Sequence, residues 1–304
     1  MSSSASPIAW SAVLPDWLGL LSRFLSLRPF SRENAAGVRA ALELLAQLLV
    51  ERGFKVEQHP NPSPDGAGIF IASRALRGRC MRTVGLFAHV DVEDVTPGEA
   101  WQSADPLQPQ LLPDGRYYCR GIADNLGPLL ARLLAFRADD AECAGVVWVV
   151  QGEEEIGSPF AHAALPAIKA SGAFAHVELW IEETGYFTAD GTQRVLTMHR
   201  GAANTAPAAA AAEGSADPPT AIELALRALA ENAAGRKMAV LERFLNKSFG
   251  SNCCPCIAHL VDGSVPYLSF GINDVHSMIH DIDESVPAET LPIAFEQFKA
   301  VLVC

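Results

Sequence analysis

Short apolar runs, most ending on an acidic or histidine-bearing signature, set the rhythm of this chain. Thr83 to Ala88 leads into His89-Val90-Asp91, Val146 to Val150 into Glu153-Glu154-Glu155, and Val177 to Ile181 into Glu182-Glu183. Tyr267 to Phe270 precedes His280, with Glu284 four residues on, and Asp124-Asn125 opens an amphipathic stretch. The runs are partly β-branched or aromatic and do not alternate with polar residues, so they read as strands of a parallel sheet buried on both faces. Other segments carry apolar positions at helical spacing: Trp10 to Leu27, Glu33 to Arg52 stopped by Gly53, Asn125 to Arg137, Ala161 to Ala170 behind Pro159, Pro219 to Ala230, and Ala288 to Leu302. Phe54 to Glu57, Gly68 to Ser73 and Arg194 to His199 read as further strands. This alternation predicts an α/β fold of three αβα layers around a mostly parallel sheet. Ligands bind such sheets at the strand C-termini, where the signatures lie.

Composition narrows the classes. With 304 residues and 49% hydrophobic content, the chain can bury a large core, and 1–304 reads as a single catalytic domain. Gly201 to Pro218, a low-complexity run of Ala, Gly, Pro and Ser, breaks the alternation and reads as a flexible linker. A net charge of −12 speaks against a nucleic-acid partner, because no basic stripe is available to neutralise phosphates. No apolar stretch reaches the roughly 18 residues of a membrane span, and Trp10 to Leu27 lacks the basic lead of an export signal. The expected location is therefore cytoplasmic and away from membranes. Seven cysteines, an odd and scattered set, read as reduced thiols. Cys253, Cys254 and Cys256 contain a C-x-x-C spacing without a second matching pair.

Each signature taken alone has an ordinary explanation. Asp124 before a helix is a common N-cap, and three adjacent glutamates can be a solvated turn. Together they supply imidazole and carboxylate, the ligands that suit Zn²⁺ and its first-row neighbours, in numbers sufficient for two metals sharing one carboxylate. Two divalent cations would also explain adjacent carboxylates in one cleft, which otherwise raise one another's pKa.

Read with their surroundings, these residues resemble the co-catalytic zinc peptidase family of aminoacylase, carboxypeptidase G, acetylornithine deacetylase and succinyl-diaminopimelate desuccinylase. The resemblance rests on GLFAHVDVEDV from Gly85, Trp101-Gln102-Ser103, Asp105-Pro106-Leu107, Asp114 to Tyr118, Arg120 to Asn125, GEEEIGS from Gly152, and IHDIDESV around His280. It implies that Asp124 bridges two metals, most simply Zn²⁺ with Co²⁺ and Mn²⁺ open, and that the peptide bond after Asp124 is cis. His89 and Glu182 would complete one metal, and Glu155 and His280 the other; Glu182 is preferred to Glu183 because Ile-Glu-Glu-Thr-Gly aligns with the family's Glu-Pro-Thr-Gly. Asp91 would orient the His89 ring, and Glu154 would be the general base.

The chain departs from that pattern as well. Where relatives insert a lid domain after the strand ending at His199-Arg200-Gly201, it carries only the 201–218 run, so the lid's part in dimerisation and oxyanion binding would have to be met otherwise. A monomer or a sheet-edge dimer is then expected. Candidates for the oxyanion donor are His199, Arg200, Asn252 and His276. Cys119 stands where the family has Gly, and Leu126 where Lys is common. The resemblance implies a dinuclear metallohydrolase cleaving an amide bond in a small N-acyl amino acid or short peptide. Three alternatives stay open: a lid-less aminopeptidase, an amide-forming or acyl-transfer enzyme, and a catalytically silent binding protein on the same fold.

Overall fold

A computed structural model describes residues 9–80, 82–199, 219–244, 256–261 and 265–303. The linker expected at 201–218, Arg200, Asn252, Cys253 and Cys254 lie outside the described residues, as does the side chain of His199.

The four apolar runs are four adjacent strands. They are β3 (Thr83–His89), β6 (Gly145–Gln151), β7 (Leu179–Glu182) and β11 (Tyr267–Ser269), in the order β6-β3-β7-β11 and parallel throughout. Antiparallel strands flank this centre. On one side lie β2 (Ile69–Arg74) and β1 (Lys55–His59), and on the other β9 (Gln193–His199), to which β10 (Met238–Phe244) adds a parallel edge. Two-residue strands β8 (Tyr186–Phe187) and β12 (Asn273–Asp274) extend the same sheet. A second sheet of three strands combines β4 (Gln110–Leu111), β5 (Arg116–Tyr118) and β13 (Ser285–Pro287).

Alternate residues of the central strands feed two separate cores. Leu86, Ala88, Trp148, Val150 and Ile181 face one, while Phe87, Val147, Val149 and Trp180 face the other. Both faces are covered, which is why these strands show no polar alternation. The first core is roofed by α1 (Trp10–Ser26), α2 (Ala35–Glu51), α3 (Leu126–Ala135), α5 (Ala221–Glu231) and the last helix, Thr290–Leu302. The second is covered by α4 (Pro159–Ala170) and the short helix Ile257–Leu260.

Local chemistry sets the helix ends. Asn34 caps α2 by accepting from the Gly37 amide at 3.0 Å. At the other end Gly53 turns left-handed (φ +81°), and the amides of Gly53 and Phe54 bond to Val50 and Leu49 carbonyls. That double bond closes the helix as its glycine predicts. Helix α1 is fixed on α3 by a buried hydrogen bond of 2.9 Å from the Trp17 indole to the Gly127 carbonyl.

Candidate metal centre and active site

Three of the signatures meet at the C-terminal ends of β3 and β6 and at the start of α3. The potential ligand atoms of His89, Asp124 and Glu155 lie within 4.8 Å of one another. His89 Nε2 is 3.0 Å from one Asp124 oxygen, and His280 Nε2 is 3.2 Å from the other and 2.8 Å from Glu155 Oε2. Asp124 thus has one imidazole on each oxygen, the placement expected of a bridging carboxylate. The peptide bond from Asp124 to Asn125 is cis, as the resemblance implied.

The three consecutive glutamates have separate surroundings. Glu153 is tied down: Oε1 accepts from Asn61 Nδ2 and the Ala67 amide, both at 2.8 Å, and Oε2 from the Phe160 amide at 3.1 Å. Glu155 points inward with both oxygens buried; Oε2 meets the His280 ring at 2.8 Å, and Oε1 has no hydrogen-bond partner. Glu154 lines the same cavity, a cleft of about 810 Å³ shared with His89, Asp124, Glu182 and His280.

Electrostatics follow from crowding. Burial, then the Asp124 and Asp91 carboxylates, pushes the Glu154 carboxyl up to about 7. Burial and Asp124 do the same to Glu155, also to about 7. His280 is carried up to about 11 by its contacts with Asp124 and Glu155. Burial disfavours the charged form of both His89 and Asp124, but their mutual contact and further partners outweigh it, raising the imidazole and lowering the carboxyl. Such crowding of carboxylates around two imidazoles is what a divalent cation would offset in this donor set. The unpartnered Oε1 of Glu155 and the mixed imidazole and carboxylate donors fit a first-row divalent metal.

Supporting groups hold the turns that carry these side chains. Asp91 accepts from Ser31 Oγ at 2.6 Å and from the Glu155 amide at 3.0 Å, joining the end of β3 to the glutamate turn. His89 Nδ1 stands 3.0 Å from the Asp91 backbone carbonyl and 3.4 Å from its carboxylate, so ring orientation rests first on main chain. Glu284 is fully buried and accepts from Arg120 Nη1 at 2.9 Å and from the amides of Gly121, Ala123 and Asp124 at 2.9, 2.8 and 3.1 Å. It therefore shapes the turn that presents Asp124.

Glu182 and Glu183 divide similarly. Glu183 also lines the cavity, paired with Arg132 at 3.1 Å and bonded by Asn125 Nδ2. Arg132 also donates to the carbonyls of Glu182 and Phe270. Glu182 faces the cavity, and its Oε2 accepts from the Tyr267 hydroxyl and from the Thr184 hydroxyl and amide at 2.8 and 3.1 Å. The two loops touch closely: a Cβ on Gly271 would come within 2.1 Å of the Glu183 carbonyl.

Several of these partners were not singled out from the sequence. Ser31, Tyr267 and Arg132 carry no motif of their own, although Arg132 is the one charged residue in the apolar helix Leu126–Ala135, which signals a buried partner. Of the oxyanion candidates, His276 is exposed on the loop before His280 and does not line the cavity. His199 closes β9, with only its backbone described. Cys119 is wholly buried and burial pushes its thiol well above the ordinary value, so it packs as an apolar side chain. Cys256 is buried too, its sulfur 3.5 Å from Gln151 Nε2.

Known proteins are similar to this chain in sequence and in fold. The model of peptidase family M20/M25/M40 matches residues 85–303. Human Beta-Ala-His dipeptidase is 28% identical over 153 residues, 48% of this chain and 30% of that protein. The putative dipeptidase YtjP of Bacillus subtilis strain 168 is 34% identical over 101 residues, 33% of this chain and 19% of that protein. The matched stretches therefore span less than a third of the length of these curated relatives. In fold, the chain is similar to the dipeptidase Dug1p of Saccharomyces cerevisiae, with a TM-score of 0.72, 13% identity and 96% of each chain covered. Human carnosine dipeptidase 1 gives a TM-score of 0.69 at 12% identity, with 96% of this chain and 97% of that one covered. Since the family match runs from β3, through every signature, to the last helix, this chain belongs to peptidase family M20/M25/M40.

Proposed function

We propose that the protein is a metal-dependent hydrolase that cleaves the amide bond of a small N-acyl amino acid or short peptide. The observation that carries this reading is the convergence of His89, Asp124, Glu155 and His280 on one point of a cleft that Glu154 also lines. Two divalent ions, Zn²⁺ by donor type, would be held with Asp124 between them, His89 and Glu182 completing one site and Glu155 and His280 the other. Such ions supply Lewis acidity to a carbonyl and acidify a water.

The chain's own residues do the rest. Glu154 is the general base: lining the cleft with His89 and Asp124, it takes a proton from the attacking water and returns it to the leaving amine. Asp91 acts by position, linking the His89 strand to the amide of Glu155. Glu284 fixes the Asp124 turn. The relatives named as dipeptidases support a peptide-like substrate. We place the activity in the cytoplasm, supported by the buried thiols of Cys119, Cys143 and Cys256, which form no disulfide among the described residues; no described helix is long and apolar enough to cross a membrane.

Glu154→Gln tests the central role. The amide keeps the shape but cannot accept the proton, so turnover should fall by about 10²- to 10⁴-fold with metal content unchanged. Retained turnover would remove the general-base assignment. Hydrolysis of N-acetyl amino acids, set against aminoacyl amides, tests the substrate class, and cleavage confined to free-amine substrates would turn the reading toward an aminopeptidase.

A further inference from the structure

Large apolar side chains stand exposed at the mouth of a cleft otherwise rich in carboxylates. Val275, Met278 and Ile279 are 49%, 48% and 41% exposed, three within five residues of the loop that ends in His280. Val275 and Ile279 line the same cavity as His89, Asp124 and Glu154. Tyr186 lines the same cavity.

The loop is held in place. Asp274 receives a two-pronged bond from Arg116 at 2.7 and 2.9 Å, and the Asp283 carboxylate accepts from the Gln102 amide and side chain at 2.7 and 2.9 Å. The Ser285 amide bonds to the Ser277 carbonyl at 3.0 Å. Met278 and His280, on either side of Ile279, both adopt left-handed backbone, φ +49° and +64°. Non-glycine residues enter that region at an energetic cost, and such positions cluster at ligand sites. The loop thus keeps Ile279 at the cavity and His280 beside Asp124 at once.

We propose that Val275 and Ile279 form the subsite that receives an apolar side chain of the residue flanking the scissile amide. The enzyme then prefers substrates bearing leucine-like or aromatic side chains to those bearing alanine or an acidic residue. This rests on the cleft being an amide-hydrolase site. Contact with Ile279 and Val275 removes apolar surface of both partners from water, whereas an acidic side chain would give up its hydration against the same apolar groups.

The test is kcat/KM for two dipeptide series, X-Ala and Ala-X, with X as Ala, Leu, Phe and Asp, on the metal-loaded protein. In at least one series Leu should exceed Ala by about tenfold or more, the lower end of what a hydrophobic pocket discriminates. Ile279→Ser and Val275→Ser should each move the Leu/Ala ratio toward one, and Ile279→Val should retain most of it. Because the ratio is taken within each variant, a lower folded fraction does not alter it. Equal rates for Leu and Ala in both series, or a preference that survives both serine variants, would overturn the subsite while leaving the hydrolase reading intact. Loss of self-association in Ile279→Ser with no change in preference would assign the patch to contact between copies and overturn it equally. Turnover of no dipeptide and no N-acyl amino acid would overturn both readings.

Discussion

Glu284 shows how much one buried carboxylate organises at the site. Its two oxygens receive one guanidinium and three backbone amides, all from residues 120–124. In Glu284→Gln an amide nitrogen would face two of those donors and Arg120 would lose its counter-charge. Breaking one partner of a buried pair costs about 3–5 kcal/mol, so denaturant unfolding should report a loss of that order together with weaker metal binding. Unchanged stability would contradict the role assigned to Glu284. The Arg116 and Asp274 pair has a different signature. Burial opposes ionisation of Asp274, yet its bonds from Arg116 outweigh this and hold the carboxyl below the usual range. A depressed folded-state pKa contributes stability that is present above the unfolded value, about 3.9, and is lost as pH falls through the folded one. Asp274→Asn should therefore flatten the acid limb of the stability profile below about pH 4. An acid limb identical to the parent's would contradict it. At this scale the sequence was readable where a residue type had few alternatives: His89, Asp124 and Glu155 fall within one small cluster. Partners such as Tyr267 and Ser31 were not readable, because a hydroxyl serves too many purposes for its type to announce a role.

The elements carry the signatures to their place through the parallel pairing of β6, β3, β7 and β11. Those strands were legible because burial on both faces demands continuous apolar sequence, and each is short enough to be told from a helix. Strands β4, β5, β8, β12 and β13 have two or three residues each and give no periodicity to read. Strand β10, also not anticipated, is an edge with Val240 45% exposed and Glu242 and Arg243 in its sequence, so its pattern resembles a polar loop. The crossing of the loops after β7 and β11 is tested by Gly271→Ala. Its Cβ would stand 2.1 and 2.8 Å from the Glu183 and Gly185 carbonyls, both backbone atoms that cannot swing away. Overpacking of this kind typically costs about 1–3 kcal/mol, and thermal unfolding with no loss would show that the loops can part freely.

At the scale of the whole molecule, the αβα layering follows from six helices and a handful of strands whose order the sequence shows, while the handling of the lid does not. Residues 201–218 carry too few large side chains to predict a packing partner, and nothing structural is described for them. We expect a mass of one chain, or of two joined along a sheet edge, by light scattering; a larger assembly would contradict this. Metal should couple to folding as any ligand of the native state does. At a free concentration near one hundred times Kd it adds about 2.7 kcal/mol, so Zn²⁺ should raise Tm in the parent and leave Asp124→Ala unmoved. The central claim is that distant side chains converge on a pair of cations sharing Asp124, and anomalous scattering from a zinc-soaked crystal tests it most directly. Two peaks flanking the Asp124 carboxylate, one toward His89 and one toward Glu155 and His280, are the predicted result. A map with no peak beside Asp124 would contradict the account.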